Sequence, residues 1–383
     1  MPTPLTATPT EDVMVYVHVP FCHAKCAYCD FYSTPVLSLA DAYLEALAGE
    51  WNERRTPGMR PITLYVGGGT PSSLPQGGLS RIVSAINPGA PLAEATVEAN
   101  PEDVSPRWAD EALEVLGAIS LNPRVSMGVQ SLDDSQLSFI GRRHTSWQAL
   151  DAVSTLRTAG FDNISLDLIY GLPGQTLDSW RSSLSRILEL RPAHLSAYLL
   201  SYEPRTRLGV MLEKGKVEEA SDSLAEQMYL HLCRAAREAG YVHYEISNFA
   251  LPGREAIHNS GYWNSTPYIG LGPGAHSFLG GVRGSVAPNL REYIKAGGRG
   301  LFQAEEETEA NRFNDLLLTA LRTSRGLDPS LSGFSPEILG PFGETVSTLL
   351  RSGELIVNSS GRLAIPEEKW LTSNSTLLKL IAI

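Results

Sequence analysis

The stretch MVYVHVPFCHAKCAYC, residues 14–29, joins an apolar run to three cysteines, Cys22, Cys26 and Cys29, spaced C-x3-C-x2-C. Valine and tyrosine in the apolar run favour a buried strand, so the cysteines follow directly on the end of a strand. Short clusters of thiolates hold soft metals or iron–sulfur clusters. Four sulfurs close a [4Fe–4S] cubane, whereas three leave one iron open to another ligand. This loop therefore predicts a metal centre with one reactive position.

Zinc is an alternative occupant of the cysteine loop. A structural zinc site uses four ligands, usually two cysteine knuckles or cysteines paired with histidines. His18 or His23 would have to complete such a set, since the sequence contains no second knuckle. The fourth cysteine, Cys233, falls in a predicted amphipathic helix at residues 221–239, where we expect it to pack as a small apolar side chain. A [4Fe–4S] cluster is the favoured occupant, and an inert loop is the remaining alternative.

The composition is that of an ordinary folded protein. The chain has 383 residues, of which 43% are hydrophobic and 19% are charged. Its formal net charge of −11 argues against binding to a nucleic-acid backbone. Residues 1–12 lack the basic and apolar segments of a signal peptide, and no apolar run reaches the roughly 18 residues of a membrane span. We therefore expect a cytoplasmic protein, in which cysteines more often bind metals than form disulfides.

Strand-like and helix-like segments alternate along the first half of the chain. Runs rich in β-formers predict strands at residues 14–20, 63–68, 96–101, 124–129, 163–171 and 194–200. Helical periodicity predicts helices between them at residues 37–54, 105–116, 147–159 and 177–190. This alternation predicts an α/β protein with a parallel sheet, and six βα units suit a partial (β/α)6 TIM-like barrel. An open doubly wound sheet is the alternative.

Beyond the strand–helix alternation the composition changes twice. Residues 244–304 are rich in glycine, asparagine and aromatic residues and show little helical period. Residues 305–383 contain helical patterns at 309–324 and 344–351, followed by a hairpin pattern at 354–365. We therefore predict four segments: a flexible N-terminal tail (1–12), a barrel with the metal centre (13–243), a connecting region (244–304) and a smaller helical domain with a winged-helix-like hairpin (305–383).

Polar motifs follow the predicted strands, and in a barrel the carboxyl ends of the strands share one site. The cysteine loop and the later GGGTP turn (67–71) together resemble the radical S-adenosylmethionine (SAM) superfamily. That resemblance implies that the three cysteines hold a [4Fe–4S] cluster and that SAM chelates its fourth iron. Tyr28 matches the family's aromatic residue before the last cysteine. Glu98, at the end of the third strand, is the predicted hydrogen-bond acceptor for a SAM hydroxyl or amine.

A finer pattern resembles oxygen-independent coproporphyrinogen III oxidase and its relatives, the radical SAM haem chaperones. The matching sequence motifs, called words below, occur in the family's order and span most of the chain. They are YVHVPFC (16–22), GGGTP (67–71), EANP (98–101), GVQS (128–131), RRH (142–144), DLIYGLPGQ (167–175), YEISN (244–248), HNSGYW (258–263) and GLGPGAH (270–276). By position, the resemblance implies that cluster-bound SAM contacts Tyr16, Gly68 and Glu98. It also implies a second SAM position lined by Gly69, Thr70, Gln130, Arg142 and Asp167. The alternatives for these residues are a core tyrosine, turn glycines and a solvated Arg–Asp pair.

Two departures from the oxidase favour the haem chaperone branch. The oxidase has a further cysteine two residues after the third, where this chain has Phe31. The oxidase also has a longer segment before the cluster strand, whereas only fifteen residues precede Tyr16 here. In the chaperone branch the HNSGYW word is associated with haem, which implies His258 as an axial ligand. A lone loop histidine is more often a surface residue, so this assignment depends on the resemblance.

We therefore predict a haem chaperone on a radical SAM scaffold, with no catalytic residue assigned. The family implies that it binds a [4Fe–4S] cluster, SAM and haem as cargo, and delivers haem to recipient haem proteins such as respiratory cytochromes. The alternative is the oxidase reaction, in which SAM cleavage yields a 5′-deoxyadenosyl radical that starts decarboxylation of coproporphyrinogen III to protoporphyrinogen IX. A radical SAM enzyme acting on another substrate is a third hypothesis, so the sequence leaves enzyme activity open.

Overall fold

The computed structural model describes residues 11–381, which form alternating strands and helices. The strands are β1 (Glu11–Val19), β2 (Met59–Gly68), β3 (Glu94–Ala99), β4 (Pro123–Gln130), β5 (Asn163–Tyr170), β6 (His194–Leu199), β7 (Val242–Glu245), β8 (Asn248–Ala250), β9 (Tyr268–Leu271), β10 (His276–Leu279), β11 (Val282–Val286), β12 (Phe302–Ala304), β13 (Ile356–Val357) and β14 (Leu363–Ala364).

The α-helices are α1 (Ala40–Arg54), α2 (Gly78–Ile86), α3 (Pro106–Gly117), α4 (Asp134–Phe139), α5 (Ser146–Ala159), α6 (Leu177–Glu189), α7 (Arg207–Glu213), α8 (Asp222–Glu238), α9 (Ile257–Trp263), α10 (Leu290–Lys295), α11 (Glu309–Ala320), α12 (Pro336–Arg351) and α13 (Ser373–Leu380). Within residues 11–381, none of the helices has the length and the apolar character that crossing a bilayer requires.

The chain divides into two compact units. The first comprises the residues up to Ile164 together with Thr266–Glu305, and the second comprises Ser165–Ser265 and the residues from Glu306 onward. This division cuts the predicted barrel segment after Ile164 and joins most of the predicted connecting region to the first strands. Of the predicted N-terminal tail, residues 1–10 lie outside the described residues. Glu11 and Asp12 form the start of β1 and pair with β2, so they are strand rather than tail.

Each unit contains a sheet with parallel strands. In the first unit the strand order is β12-β11-β10-β9-β1-β2-β3-β4. The strands β1 to β4 pair in parallel, β9 is parallel to β1, and β10 to β12 extend the sheet in antiparallel fashion. In the second unit β5 and β6 are parallel, and β8 and β7 continue antiparallel. The six predicted strands correspond to β1–β6, which confirms the α/β class and the predicted order of its elements.

The parallel strands form because apolar side chains on both of their faces are buried. In β1 the side chains of Val15 and Val17 on one face and of Met14 on the other are at most 1% exposed, and in β5 Leu168 and Ile169, on opposite faces, are at most 5% exposed. A strand covered on both faces needs a nearly continuous apolar sequence rather than strict alternation. This is why the first apolar run of the chain predicted its strand correctly.

Local hydrogen bonds set the ends of the helices, as α5 illustrates. It begins after Thr145, whose hydroxyl accepts from the Gln148 amide at 3.3 Å while Gln148 Oε1 accepts from the Thr145 amide at 2.9 Å. This capping box satisfies two amides that a helix N-terminus leaves unpaired. The helix ends at Gly160, whose φ of 112° is a left-handed conformation that glycine adopts without strain. The predicted helix at 147–159 is therefore confirmed to within one residue.

The last third of the chain differs from its prediction in two ways. Residues 244–304, predicted without helical period, contain the short strands β8 to β12 and the helices α9 and α10. The helix predicted to start at residue 344 begins at Pro336. Gly340, Pro341 and Gly343 disfavour a helix interior, so local propensity indicated a start that was too late. The predicted hairpin is confirmed, although β13 and β14 are only two residues each.

A buried carboxylate on α1 braces the first unit. Glu50 is 1% exposed, and its Oε2 accepts hydrogen bonds from the Gly272 amide at 2.8 Å and the Tyr293 hydroxyl at 2.7 Å. Its Oε1 accepts from Arg54 at 2.6 Å, and Arg54 also donates to the Gly270 carbonyl at 2.7 Å. These bonds connect α1 to α10 and to the end of β9. Glu50 and Gly272 are 222 residues apart in the sequence.

We expect Glu50→Ala to lower the free energy of unfolding by about 3 kcal/mol, because it leaves a mostly buried guanidinium without its partner and removes two further hydrogen bonds. Urea unfolding followed by circular dichroism measures the change. Glu45→Ala is the matched control, since Glu45 lies on the exposed side of the same helix, and its effect should stay within about 0.5 kcal/mol. Equal unfolding midpoints for the two variants would contradict the role of Glu50 as a brace.

Candidate functional site

Backbone hydrogen bonds hold the cysteine loop in place. Just beyond β1, the Cys22 amide donates to the Thr34 carbonyl at 3.1 Å, and the Thr34 amide donates to the Pro20 carbonyl at 2.8 Å. The Ala27 amide donates to the Ile140 carbonyl at 2.8 Å, which anchors the middle of the loop. All three cysteines of the loop are half-buried. The loop therefore presents its sulfurs from a fixed backbone frame.

Three side chains form a hydrogen-bonded chain between two of the sulfurs. Thr70 donates its hydroxyl to Cys22 Sγ at 3.0 Å and accepts from Asn100 Nδ2 at 3.2 Å. Arg142 donates from Nη2 to Asn100 Oδ1 at 2.7 Å and from Nη1 to Cys26 Sγ at 3.6 Å. We call Thr70, Asn100 and Arg142 the Arg142 chain. Its donors all run from the guanidinium towards the sulfurs, so it gives hydrogen bonds to the sulfur atoms of two potential metal ligands.

Arg142 carries a buried positive charge beside the cysteine loop. Burial disfavours its charged form, but the neighbouring Tyr28 and Cys26 outweigh burial and raise the pKa of the guanidinium above its usual range. Its Nη2 also donates to the Gly128 carbonyl at 2.6 Å. Its Nε is buried and has no hydrogen-bond partner among residues 11–381. An unsatisfied buried donor costs about 1–3 kcal/mol, so an acceptor group of a ligand is stabilised at this position.

Close packing explains the glycines of the GGGTP turn. Gly68 has a φ of 108°, and a Cβ on it would lie 2.6 Å from the His18 ring. A Cβ on Gly69 would lie 2.4 Å from the Phe21 carbonyl oxygen. The Gly69 amide donates to the Val19 carbonyl at 2.8 Å. Glycine is therefore needed where the end of β2 packs directly against the start of the cysteine loop.

His18, one of the two histidines considered for zinc, has both ring nitrogens engaged. Its Nε2 lies 2.9 Å from the Tyr32 carbonyl, which only accepts, so Nε2 carries the proton. Its Nδ1 then accepts from the Tyr16 hydroxyl at 3.1 Å. Burial lowers the pKa of His18 and keeps the ring neutral. His18 therefore orients Tyr16, and it offers no free nitrogen to complete a zinc site with the cysteines.

Glu98 turns its carboxylate towards the GGGTP turn. Its Oε1 accepts from the Tyr65 hydroxyl at 2.8 Å, and its Oε2 accepts from the Gly68 amide at 3.1 Å. A carboxylate oxygen can accept more than one hydrogen bond, so bonds from these two donors are compatible with a further one from a ligand hydroxyl or amine. The two protein donors fix its orientation before any ligand arrives.

Gln130, Tyr28 and Asp167 complete the predicted set. Gln130 ends β4 with a φ of 66°, which costs a non-glycine residue about 1–2 kcal/mol and is typical of ligand sites. Burial raises the pKa of Tyr28, which therefore stays protonated. Asp167 lies on β5 in the second unit, with its Oδ1 3.5 Å from the Ser165 hydroxyl. The first unit thus contains the three cysteines and every predicted SAM residue except Asp167.

Sequence reasoning missed three supporting residues. Asn100 and His144 lie inside the EANP and RRH words, which was a usable signal, although neither was assigned a role. The Nε2 of His144 lies 3.1 Å from the Val129 carbonyl, and its Nδ1 lies 3.3 Å from Glu102 Oε2. Tyr65 gave no signal, because an aromatic residue in a strand is ordinary core.

His258 lies in the second unit on the short helix α9 and is completely buried, not exposed as a lone loop histidine would be. Its Nε2 lies 2.9 Å from the Tyr262 hydroxyl. Burial lowers the pKa of His258 to about 3, so the ring is neutral at physiological pH, as an iron ligand must be. Also in this unit, a cleft of about 250 Å³ has among its lining residues Trp263, Arg325 and Arg362.

Known proteins match this chain along nearly its whole length. The radical SAM superfamily matches residues 16–187, which include the cysteine loop and the GGGTP turn. "Heme chaperone HemW" of Lactococcus lactis is 34% identical over 373 residues, which cover 96% of each chain. "Heme chaperone HemW" of Bacillus subtilis is 36% identical over 349 residues, which cover 86% of this chain and 90% of its own. This chain belongs to the HemW heme chaperone family.

HemW membership confirms the resemblance that the motif words predicted. Coproporphyrinogen III oxidase (HemN) from Escherichia coli, a radical SAM enzyme, superposes with a TM-score of 0.81 at 22% identity. The superposition covers 98% of this chain and 92% of HemN. At this identity the likeness shows the fold alone, and it confirms the predicted radical SAM α/β fold.

Membership of the radical SAM superfamily implies a [4Fe–4S] cluster and SAM. The residues present fit these groups. The donor set is three half-buried thiols on one loop, which suits iron–sulfur ligation with one open iron. The Arg142 chain reaches two of the sulfurs, and the unpartnered Nε of Arg142 offers a buried donor to an acceptor group of SAM.

We expect Thr70→Val to shift the reduction potential of the reconstituted cluster by about 40 mV to more negative values. A hydrogen bond to a ligand sulfur stabilises the more negative reduced cluster, and one neutral bond contributes about 1 kcal/mol. An EPR-monitored redox titration measures the shift. Thr70→Ser is the matched control because it keeps the hydroxyl. If Val and Ser variants titrate at one potential, the Thr70–Cys22 contact does not act on the cluster.

Proposed function

We propose that this protein is a haem chaperone that works in the cytoplasm. It binds haem as cargo on a radical SAM scaffold and delivers it to recipient haem proteins such as respiratory cytochromes. The observation that carries the proposal is the nearly full-length similarity to proteins named heme chaperones. Phe31 adds to it, since this exposed side chain stands where the oxidase has its further cysteine.

In this proposal Cys22, Cys26 and Cys29 hold the [4Fe–4S] cluster, and the Arg142 chain donates hydrogen bonds to the sulfurs of Cys22 and Cys26. When bound, the cluster supplies one-electron redox chemistry and an iron that SAM chelates. Glu98 accepts a hydrogen bond from SAM, and Arg142 Nε donates one. The residues proposed to bind the cofactor are Tyr16, Tyr28, Gly68, Gly69, Thr70, Glu98, Gln130, Arg142 and Asp167.

His258 is the proposed axial ligand of haem. Its buried neutral ring has the right protonation state, but its Nε2 lies behind the Tyr262 hydroxyl. Haem binding therefore requires α9 to open locally and the iron to replace the hydrogen bond to Tyr262. Trp263, close to His258 in sequence, offers an aromatic face to the porphyrin. Arg325 and Arg362 line the same cleft as Trp263 and suit the two haem propionates.

The second candidate function is the oxidase reaction on coproporphyrinogen III. One specific observation favours it: the residues that match the second SAM position of the oxidase, among them Gln130, Arg142 and Asp167, are retained. A carrier that never cleaves SAM has less need of residues that line a second SAM position. Phe31 and the HNSGYW word favour the chaperone, so the oxidase remains the alternative.

A haem titration tests the ligand. We expect His258→Ala to lose the shifted Soret band and to bind haem at least about tenfold more weakly. We expect Tyr262→Phe to bind haem about two- to tenfold more tightly, because it removes a hydrogen bond of about 0.5–1.5 kcal/mol with which the iron competes. His231→Ala on α8 is the control, and circular dichroism checks that each variant folds. An unchanged Soret band in His258→Ala would remove this ligand assignment while leaving the fold untouched.

An activity assay separates the two candidate functions. Protein with an anaerobically reconstituted cluster is given coproporphyrinogen III, SAM and a reductant, and protoporphyrinogen formation is measured. We expect no product above a control in which the three cysteines are replaced by serine. The Escherichia coli HemN oxidase run in parallel shows that the assay works. Sustained product formation from this protein would replace the chaperone proposal with the oxidase.

A further inference from the structure

Three donor atoms converge in the second unit, away from the cysteine loop in sequence. They are Cys233 Sγ on α8, His243 Nδ1 on β7 and Glu367 Oε1, in a turn of 3-10 helix after β14. All three atoms lie within 4.8 Å of one another. Cys233, expected to be a buried packing residue, is half-buried and faces this group.

Both neighbours of His243 approach the same ring nitrogen. Nδ1 lies 3.9 Å from Cys233 Sγ and 3.0 Å from Glu367 Oε1, whereas Nε2 lies 3.4 Å from the Ile246 carbonyl. A nucleophile–histidine–carboxylate triad uses opposite ring nitrogens for its two partners, so this arrangement does not serve that chemistry. A metal-bound histidine instead donates its second N–H to a carbonyl or carboxylate, as Nε2 can do here.

The distances are close to those of a tetrahedral zinc site. Zinc binds thiolate sulfur at about 2.3 Å and imidazole nitrogen or carboxylate oxygen at about 2.0–2.2 Å, so tetrahedral angles place S and N about 3.6 Å apart and N and O about 3.4 Å apart. The observed separations are 3.9 Å for S and N and 3.0 Å for N and O. Shifts of a few tenths of an ångström would bring these two pairs to those separations.

The surroundings hold the ligands and leave room for a fourth. The His243 ring stacks on Phe249 at 4.0 Å and meets Trp370 edge-on at 4.5 Å, which fixes its orientation. Arg237 donates to both carboxylate oxygens of Glu367 at 2.9 Å, so Glu367 is oriented as well. The Glu367 side chain is 35% exposed, which leaves water access to the fourth position.

We propose that Cys233, His243 and Glu367 bind a divalent ion of the zinc class, with water as the fourth ligand. The mixed sulfur, nitrogen and oxygen donor set suits zinc and disfavours calcium or magnesium, which prefer oxygen alone. The bound ion joins α8, β7 and the turn after β14, three segments that lie more than 130 residues apart at their extremes. Its role is to stabilise the second unit.

Cobalt(II) titration of a cluster-free variant tests the site directly. The chain has four cysteines, so replacing Cys22, Cys26 and Cys29 by serine leaves Cys233 as the one thiol. We expect a thiolate-to-cobalt absorption band at one ion per chain, reversed by zinc. Adding Cys233→Ser should abolish the band, and adding Glu367→Gln should weaken zinc binding at least about tenfold. Absence of the band in the folded cluster-free protein overturns the proposal.

A second experiment uses the full chain with its reconstituted cluster. Metal analysis after desalting should find one zinc per chain beyond the cluster iron in the wild type and none in Cys233→Ser. Zinc should raise the melting temperature of the wild type but not of Cys233→Ser. His231→Ala, also on α8, is the matched control for surface binding and should retain its zinc. Equal zinc content in the wild type and in Cys233→Ser overturns the proposal.

Discussion

The cysteine loop depends on one buried guanidinium. Arg142 reaches Cys26 directly and reaches Cys22 through Asn100 and Thr70, so a single positive charge acts on two sulfurs of the loop. Burial would make this charge expensive if it were isolated, yet the acidic groups around it, among them the Glu102 carboxylate, raise the pKa of the guanidinium. The chain of donors thus places hydrogen bonds on two of the three sulfurs proposed to bind the cluster. The same guanidinium keeps an unused donor, Nε, for a ligand acceptor.

The packing of the first unit holds the Arg142 guanidinium at the right position beside the cysteine loop. The glycines at the end of β2 let Thr70 approach Cys22, because a Cβ on Gly68 would collide with the His18 ring of β1 and one on Gly69 with the Phe21 carbonyl. Further away, Glu50 ties α1 to the strand β9 that flanks β1. Side-chain geometry at the sulfurs therefore follows from backbone packing.

Sequence alone predicted the structural features that depend on local residue patterns and on family motifs. The strand before Cys22 was predicted correctly because its apolar residues are buried on both faces, and α5 because Thr145 and Gln148 form its cap. The start of α12 was predicted wrongly because Pro341 is tolerated inside that helix. The bridging role of Asn100 and the brace at Glu50 depend on pairings across 42 and 222 residues, which propensity does not encode. The SAM and haem assignments, which came from the resemblance, stay proposals.

The burial of His258 bears on what a haem carrier requires. A carrier must bind its cargo and then release it, so an axial ligand of unopposed high affinity would hinder transfer. With His258 as the proposed axial ligand, the iron would compete with the Tyr262 hydroxyl for Nε2, which lies 2.9 Å from it, and a bond of this kind would offset about 0.5–1.5 kcal/mol of the iron–imidazole interaction. Opening of α9 adds a further conformational cost, which lowers the apparent affinity by the fraction of protein that is open. Under this proposal, a recipient with a preformed haem pocket would pay no such cost, which favours transfer towards it.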